Sequence, residues 1–90
     1  MTDDELTQTI IGCAYTVHNT LGPGFFEKVY ENALRIALEK AGLRVKQQEP
    51  ISVTYEGQVV GEHYADLWVH ERVVVELKAA LALVKEHEFN

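Results

Sequence analysis

Tyr64-Ala65-Asp66-Leu67-Trp68-Val69-His70-Glu71-Arg72-Val73-Val74-Val75-Glu76-Leu77-Lys78 is the stretch on which the reading of this chain turns. Two apolar runs flank a short polar connection, the pattern of two antiparallel strands joined by a tight turn. Asp66, Glu76 and Lys78 interrupt those runs. A charge set inside an apolar strand is costly unless it is paired or bound to a metal. Glu76 and Lys78 are two residues apart and so share one face of their strand. A three-residue connection over 70–72 would put Asp66 opposite Glu76, gathering two carboxylates and an ammonium at the end of the sheet. A two-residue turn at 70 and 71 would instead set Asp66 opposite Val75 and break the cluster. The valines at 73, 74 and 75 predict a strand buried on both faces.

Upstream, the period is also that of strands as far back as Gly42. Leu43, Val45 and Gln47 begin a short strand, and Pro50 marks an edge or a strand start. Ile51, Val53 and Tyr55 alternate with Ser52 and Thr54. Glu56-Gly57 is a hairpin signal, and residues 59–69 form the next strand, with Gly61 marking a bulge or a close approach. Before Gly42 the period is helical. Leu6, Ile10, Cys13, Val17 and Leu21 form the stripe of a helix over 3–20, opened by a Thr2/Glu5 capping box and stopped by Gly22 and Pro23. A second helix runs over 25–41, with Phe26, Val29, Tyr30, Ala33, Leu34, Ala37 and Leu38 as its apolar face; Gly42 ends it, and Leu43 closes a Schellman-type cap. A last helix begins near Leu81. The prediction is one α/β domain over residues 1–90: two N-terminal helices, a mainly antiparallel four-stranded sheet and a C-terminal helical stub.

With 90 residues the chain holds one domain at most, and a domain of this size buries only about 60% of its unfolded surface. The net charge of −6 argues against strong nonspecific binding to phosphates, so nucleic acid is expected only as a weakly held partner. No apolar run approaches the ~18 residues of a membrane span, no membrane contact is expected, and the acidic residues after Met1 do not resemble a secretory signal. Cys13 is the single cysteine; it allows no intrachain disulfide, fits a reducing cytoplasmic setting, and is read as a packing residue. His18, His63, His70 and His87 lack compact zinc-ligand spacing and read as satisfied or solvated.

Asp66, Glu76 and Lys78 together make the set that metal-dependent phosphodiester hydrolysis requires. Hard carboxylate oxygens suit Mg²⁺, or Mn²⁺ in its place, and a lysine beside them can orient a water or neutralise developing charge. Taken alone, E-x-K is a common pattern at solvated strand edges. Two roles compete for Glu27, which stands in Gly24-Phe25-Phe26-Glu27-Lys28-Val29-Tyr30, a G-x-x-E-x-x-Y pattern. It could supply a further metal or water ligand from the helix, or it could be a first-turn carboxylate stabilised by the helix dipole.

The Gly22-Pro23-Gly24 corner leading into G-x-x-E-x-x-Y, then Ala65-Asp66, then Val74-Val75-Glu76-Leu77-Lys78-Ala79, resembles the GxxExxY family of the PD-(D/E)XK nuclease-like superfamily, over residues 10–88. The resemblance implies a restriction-endonuclease-like core and a Mg²⁺-dependent (or Mn²⁺-dependent) nuclease acting on DNA or RNA. It implies Asp66, Glu76 and Glu27 as metal ligands and Lys78 with them as the catalytic set. Members of that family continue past the E-L-K strand into a helix opening His-x-x-Gln and then a further strand, whereas His87-Glu88-Phe89-Asn90 close this sequence. The expectation is therefore a partial core that covers its apolar sheet face by forming a homodimer. The alternative is a non-catalytic interaction or dimerisation module that keeps the nuclease fold.

Overall fold

Thr2 opens the first helix with the expected capping box: its Oγ1 accepts the Glu5 N–H at 3.1 Å, and the Glu5 carboxylate accepts the Thr2 N–H at 2.9 Å. A computed structural model describes residues 1–78. Helix α1 spans Asp3–Leu21 and ends at Gly22, whose N–H donates to the His18 carbonyl. The Gly-Pro-Gly corner that follows is held by Tyr30, whose hydroxyl donates to the Gly22 carbonyl and accepts the Phe25 N–H at 3.3 Å. The Tyr30 and Phe25 rings also meet edge to face, with centroids 6.1 Å apart. The tyrosine of G-x-x-E-x-x-Y is thus the clamp that sets how α2 leaves the corner.

Helix α2 spans Glu27–Lys40. Its end is a Schellman cap: the Leu43 N–H donates to the Leu38 carbonyl at 3.1 Å and the Gly42 N–H to the Glu39 carbonyl at 3.0 Å. Gly42 takes φ +86°, which a side chain would resist, and Leu43 and Leu38 are both buried, as that motif's apolar contact requires.

Three strands follow: β1 (Val45–Tyr55), β2 (Gln58–Val69) and β3 (Val73–Val75), antiparallel in the order β1-β2-β3. Glu56 and Gly57 both take positive φ and make a two-residue turn of the kind that matches strand twist. The expected bulge lies beside Gly61, where the register shifts past Val60. The connection over 70–72 has three residues, and Val69 pairs with Val73, Trp68 with Val74 and Leu67 with Val75.

Where four strands were expected, three form among the described residues. The segments on either side of Pro50 belong to one continuous strand, because β1 is an edge strand and proline's missing N–H costs nothing on a free edge. The strand expected over 73–78 is shorter, ending at Val75. It is not buried on both faces either: Val73 and Val75 pack on the core, while Val74 points the other way and is 43% exposed. The helical stub expected from Leu81 lies outside the described residues.

The core joins Leu6, Ile10 and Val17 of α1 to Leu34 and Leu38 of α2, Leu43, and Leu67 and Val69 of β2, with Val73, Val75 and Leu77 packed against it. Among the described residues the helices lie on one sheet face only. The Arg72 guanidinium ties the β2–β3 turn to the start of α1 through the Met1 carbonyl and the Asp3 carboxylate. Because Tyr30 satisfies two backbone groups of the corner, Tyr30→Phe should destabilise the fold by about 1–3 kcal/mol. Thermal unfolding should show a drop of roughly 4–8 °C per kcal/mol for a domain of this size. An unchanged midpoint would mean that the corner holds without the hydroxyl.

Candidate active site

The buried stripe of α2 carries a charge. Glu31 lies three residues before Leu34 and seven before Leu38, so it faces the sheet with them, and it is 4% exposed. Three side chains satisfy it. Lys28 Nζ reaches Oε2 at 3.1 Å, the Gln47 amide donates to Oε2 at 2.5 Å, and the Gln48 amide reaches both oxygens at 3.1 and 3.3 Å. Burial pushes the Glu31 carboxyl's pKa up, but the hydrogen bonds from Gln47, Lys28 and Gln48 outweigh it and hold the group below the usual glutamate range.

Gln47 and Gln48 are neighbours in β1, and neighbours in a strand face opposite sides. Both nevertheless reach Glu31. The reason is the backbone at Gln48, which takes φ +53° in the left-handed region. The β1–β2 pairing passes from Gln47↔Leu67 to Glu49↔Ala65, leaving Gln48 and Asp66 out of the ladder. The same Gln48 Nε2 then donates to Asp66 Oδ1 at 3.1 Å. Asp66 Oδ2 accepts the backbone N–H of Leu77 at 2.8 Å. Helix α2, β1, β2 and the residues after β3 are therefore joined through two carboxylates and one amide.

Each residue singled out in the sequence has a definite place. Asp66 is half-buried at the centre of this network. Glu76 sits just past the end of β3 and binds His63 Nε2 through Oε1 at 2.6 Å. The register that would have set Glu76 opposite Asp66 holds as far as Leu67↔Val75; beyond it, Asp66 takes the Leu77 N–H with its side chain. Lys78 is exposed and helps line an apolar cavity of about 500 Å³ together with Leu77, Leu34, Tyr30, His18 and Phe25. No hydrogen bond among the described residues joins it to Asp66 or Glu76. Glu27 is the exposed first residue of α2, and its side chain makes no hydrogen bond among the described residues.

Glu31 and Gln48 are not singled out by sequence reasoning, which reads His63 as satisfied or solvated. Glu31 had a signal, a charge on the apolar stripe of α2. Gln48 had only the break in alternation before Pro50. His63 had none, since its partner depends on how β3 ends.

No three His, Cys, Asp or Glu side chains among the described residues converge to enclose a metal. The donors nonetheless suit a hard cation. Asp66 offers carboxylate oxygens from β2 and Glu76 from just past the end of β3, Glu31 stands one amide away from Asp66, and Mg²⁺ is commonly held by one or two carboxylates with water and substrate completing its shell. Among the described residues, the only cation bonded to Glu31, Asp66 or Glu76, apart from a protonatable His63, is Lys28, which leaves that pair of strand carboxylates short of positive charge.

An α/β domain with an aspartate on the central strand, E-x-K just beyond the next, and a buried helix glutamate wired to the aspartate has the parts of a nuclease-like site. Residues 4–90 match the family model described as the PD-(D/E)XK nuclease superfamily, and the chain belongs to that superfamily. Its nucleases typically use divalent metal ions. No curated protein and no solved structure matches the chain. No helix among the described residues is long and apolar enough to cross a membrane.

Because the folded state holds Glu31 below its unfolded pKa, its stabilising contribution is complete above the unfolded value of ~4.3. It is lost as pH falls through the lowered folded value. Acid should therefore lower the melting temperature of the wild type between about pH 5 and pH 3 more steeply than that of Glu31→Gln, which starts lower. Parallel curves for the two proteins would show that Glu31 does not set the acid response.

Proposed function

We propose that this chain is a GxxExxY-type member of the superfamily and a Mg²⁺-dependent phosphodiester hydrolase acting on DNA or RNA, with Mn²⁺ able to replace Mg²⁺. The single observation that carries the reading is the Asp66 carboxylate, half-buried and held between Gln48 and the Leu77 N–H, directly beside the strand end that presents Glu76 and Lys78. Asp66 and Glu76 would hold the metal. Between Glu27 and Glu31, Glu31 has more support as the helical partner, because it is linked to Asp66 through Gln48 while Glu27 is exposed.

The bound metal would supply Lewis acidity toward the scissile phosphate and a water of lowered pKa. The chain's own residues do the rest. Asp66 is fixed on both oxygens and so offers its remaining lone pairs in set directions. Glu76 meets His63 through Oε1 and would offer Oε2 to a cation. Lys78, three residues past the end of β3, would orient the attacking water or offset charge on the phosphate. The excess of carboxylates makes substrate approach depend on the cation, in keeping with the net charge of −6.

A second observation favours self-association beside this activity. Val53, Val60, Val59 and Tyr55 crowd the far end of the β1–β2 hairpin, with exposures running from 46% at Val53 to 68% at Tyr55. Val59, paired with Thr54, lies on the face opposite Val53 and Tyr55, so apolar side chains are exposed on both faces of the hairpin end, as at a protein contact. A homodimer through this hairpin would bury them, and the interaction-module reading rests on the same surface.

Two measurements test these proposals. With Mg²⁺ or Mn²⁺, at least one of single- and double-stranded DNA and RNA should be cut, Asp66→Asn should fall to background, and Lys78→Ala should lose about 100-fold or more while melting like the wild type. Metal-independent cleavage, or full activity in Asp66→Asn, would sink the catalytic reading. Light scattering at micromolar concentration should give a dimer that Val59→Glu converts to monomer; a wild-type monomer would remove the hairpin interface.

A further inference from the structure

Among the described residues Gln48 is the one whose side chain hydrogen-bonds both Glu31 and Asp66, and it reaches them from a backbone conformation that a glutamine does not favour. An amide nitrogen carries two N–H donors. One serves each carboxylate, so Gln48 Nε2 stands between two anionic groups at 3.1 Å from Glu31 Oε1 and 3.1 Å from Asp66 Oδ1. A lysine there would neutralise the pair and compete with a cation. A glutamate would add a third charge. A neutral donor does neither: it sets the spacing and orientation of the carboxylates and leaves their charge intact.

From this geometry we propose that Gln48 is the positioning residue of the site, holding Asp66 in the orientation in which it takes the Leu77 N–H and receives a divalent cation. The metal half of this statement rests on the function proposed above; the positioning half does not. Gln48 touches no substrate and acts through Asp66. Its left-handed backbone is part of the device, because regular strand geometry would carry its side chain to the face opposite Gln47, away from Glu31. Gln47 is the internal contrast: its amide serves Glu31 and Asn32 and does not reach Asp66.

The test compares the full chain with Gln48→Met, which keeps the length of the side chain and removes its donors, Gln48→Gly, which accepts φ +53° without strain, and Gln47→Met. Two quantities are read: hydrogen exchange of the Leu77 amide in metal-free protein, and Mn²⁺ affinity by electron paramagnetic resonance. Both Gln48 variants should lose Leu77 protection about tenfold or more and bind Mn²⁺ about 10- to 100-fold more weakly, while Gln47→Met keeps Leu77 protected. Wild-type exchange at Leu77 in either Gln48 variant overturns the proposal, as does equal loss in Gln47→Met, which would mark general loosening. If Gln48→Met does not fold, Gln48→Gly decides alone. Unweakened Mn²⁺ binding in a folded Gln48 variant overturns the positioning role toward metal. If the wild type itself binds no Mn²⁺, the metal reading fails, and Leu77 exchange still decides whether Gln48 orients Asp66.

Discussion

A carboxylate placed between a helix and a sheet must find hydrogen-bond donors for both oxygens, and the donors available to Glu31 come from its own helix and from two successive residues of β1. That requirement propagates. Two neighbours in one strand cannot both face the helix unless one leaves the strand conformation, and Gln48 does. Its departure opens the β1–β2 ladder opposite Asp66, freeing Asp66 from the regular pairing on that side. Asp66 then turns one oxygen to Gln48 and the other to the Leu77 N–H, at the point where β3 gives up its own pairing. The helix position, the irregularity in β1 and the end of β3 are thus linked by one buried charge.

The elements that the sequence announced by local chemistry appear where they were expected. Thr2 with Glu5, Gly42 with Leu43, and Glu56-Gly57 each satisfy backbone groups within a few residues, so nothing distant can override them. The three-residue turn over 70–72 was open in the sequence, because a two-residue alternative fits the same apolar pattern; pairing of Val69 with Val73 settles it. The Pro50 break was misleading, since whether a proline ends a strand depends on which edge it faces, and that is a property of the sheet.

Legibility at the site followed the same line. Asp66, Glu76 and Lys78 stood out because charge in an apolar run is rare enough to notice. The placement of Glu76 on His63, and of the Asp66 oxygen on Leu77 rather than in register with Glu76, arises from side chains capturing groups released at a strand end. Glu31 was visible in principle as a charge on the buried stripe of α2, yet the G-x-x-E pattern drew attention to Glu27, one turn earlier and exposed. Tyr30 was assigned to the apolar face, and its hydroxyl turns out to be the more specific part, closing the glycine-proline corner.

The tight turn at Glu56-Gly57 has a bearing on the order in which the molecule assembles. A hairpin closed by two residues needs little chain entropy and forms within about microseconds, so β1 and β2 can pair before either helix has docked. The carboxylate network cannot, because Glu31 arrives with α2 and the Leu77 N–H with the return of the chain after β3. Any early species that has the hairpin alone holds Asp66 without the Leu77 N–H and Gln48 without Glu31. Completion of the site thus waits on long-range docking of α2 and of the chain after β3, and a hairpin still alone carries no complete site.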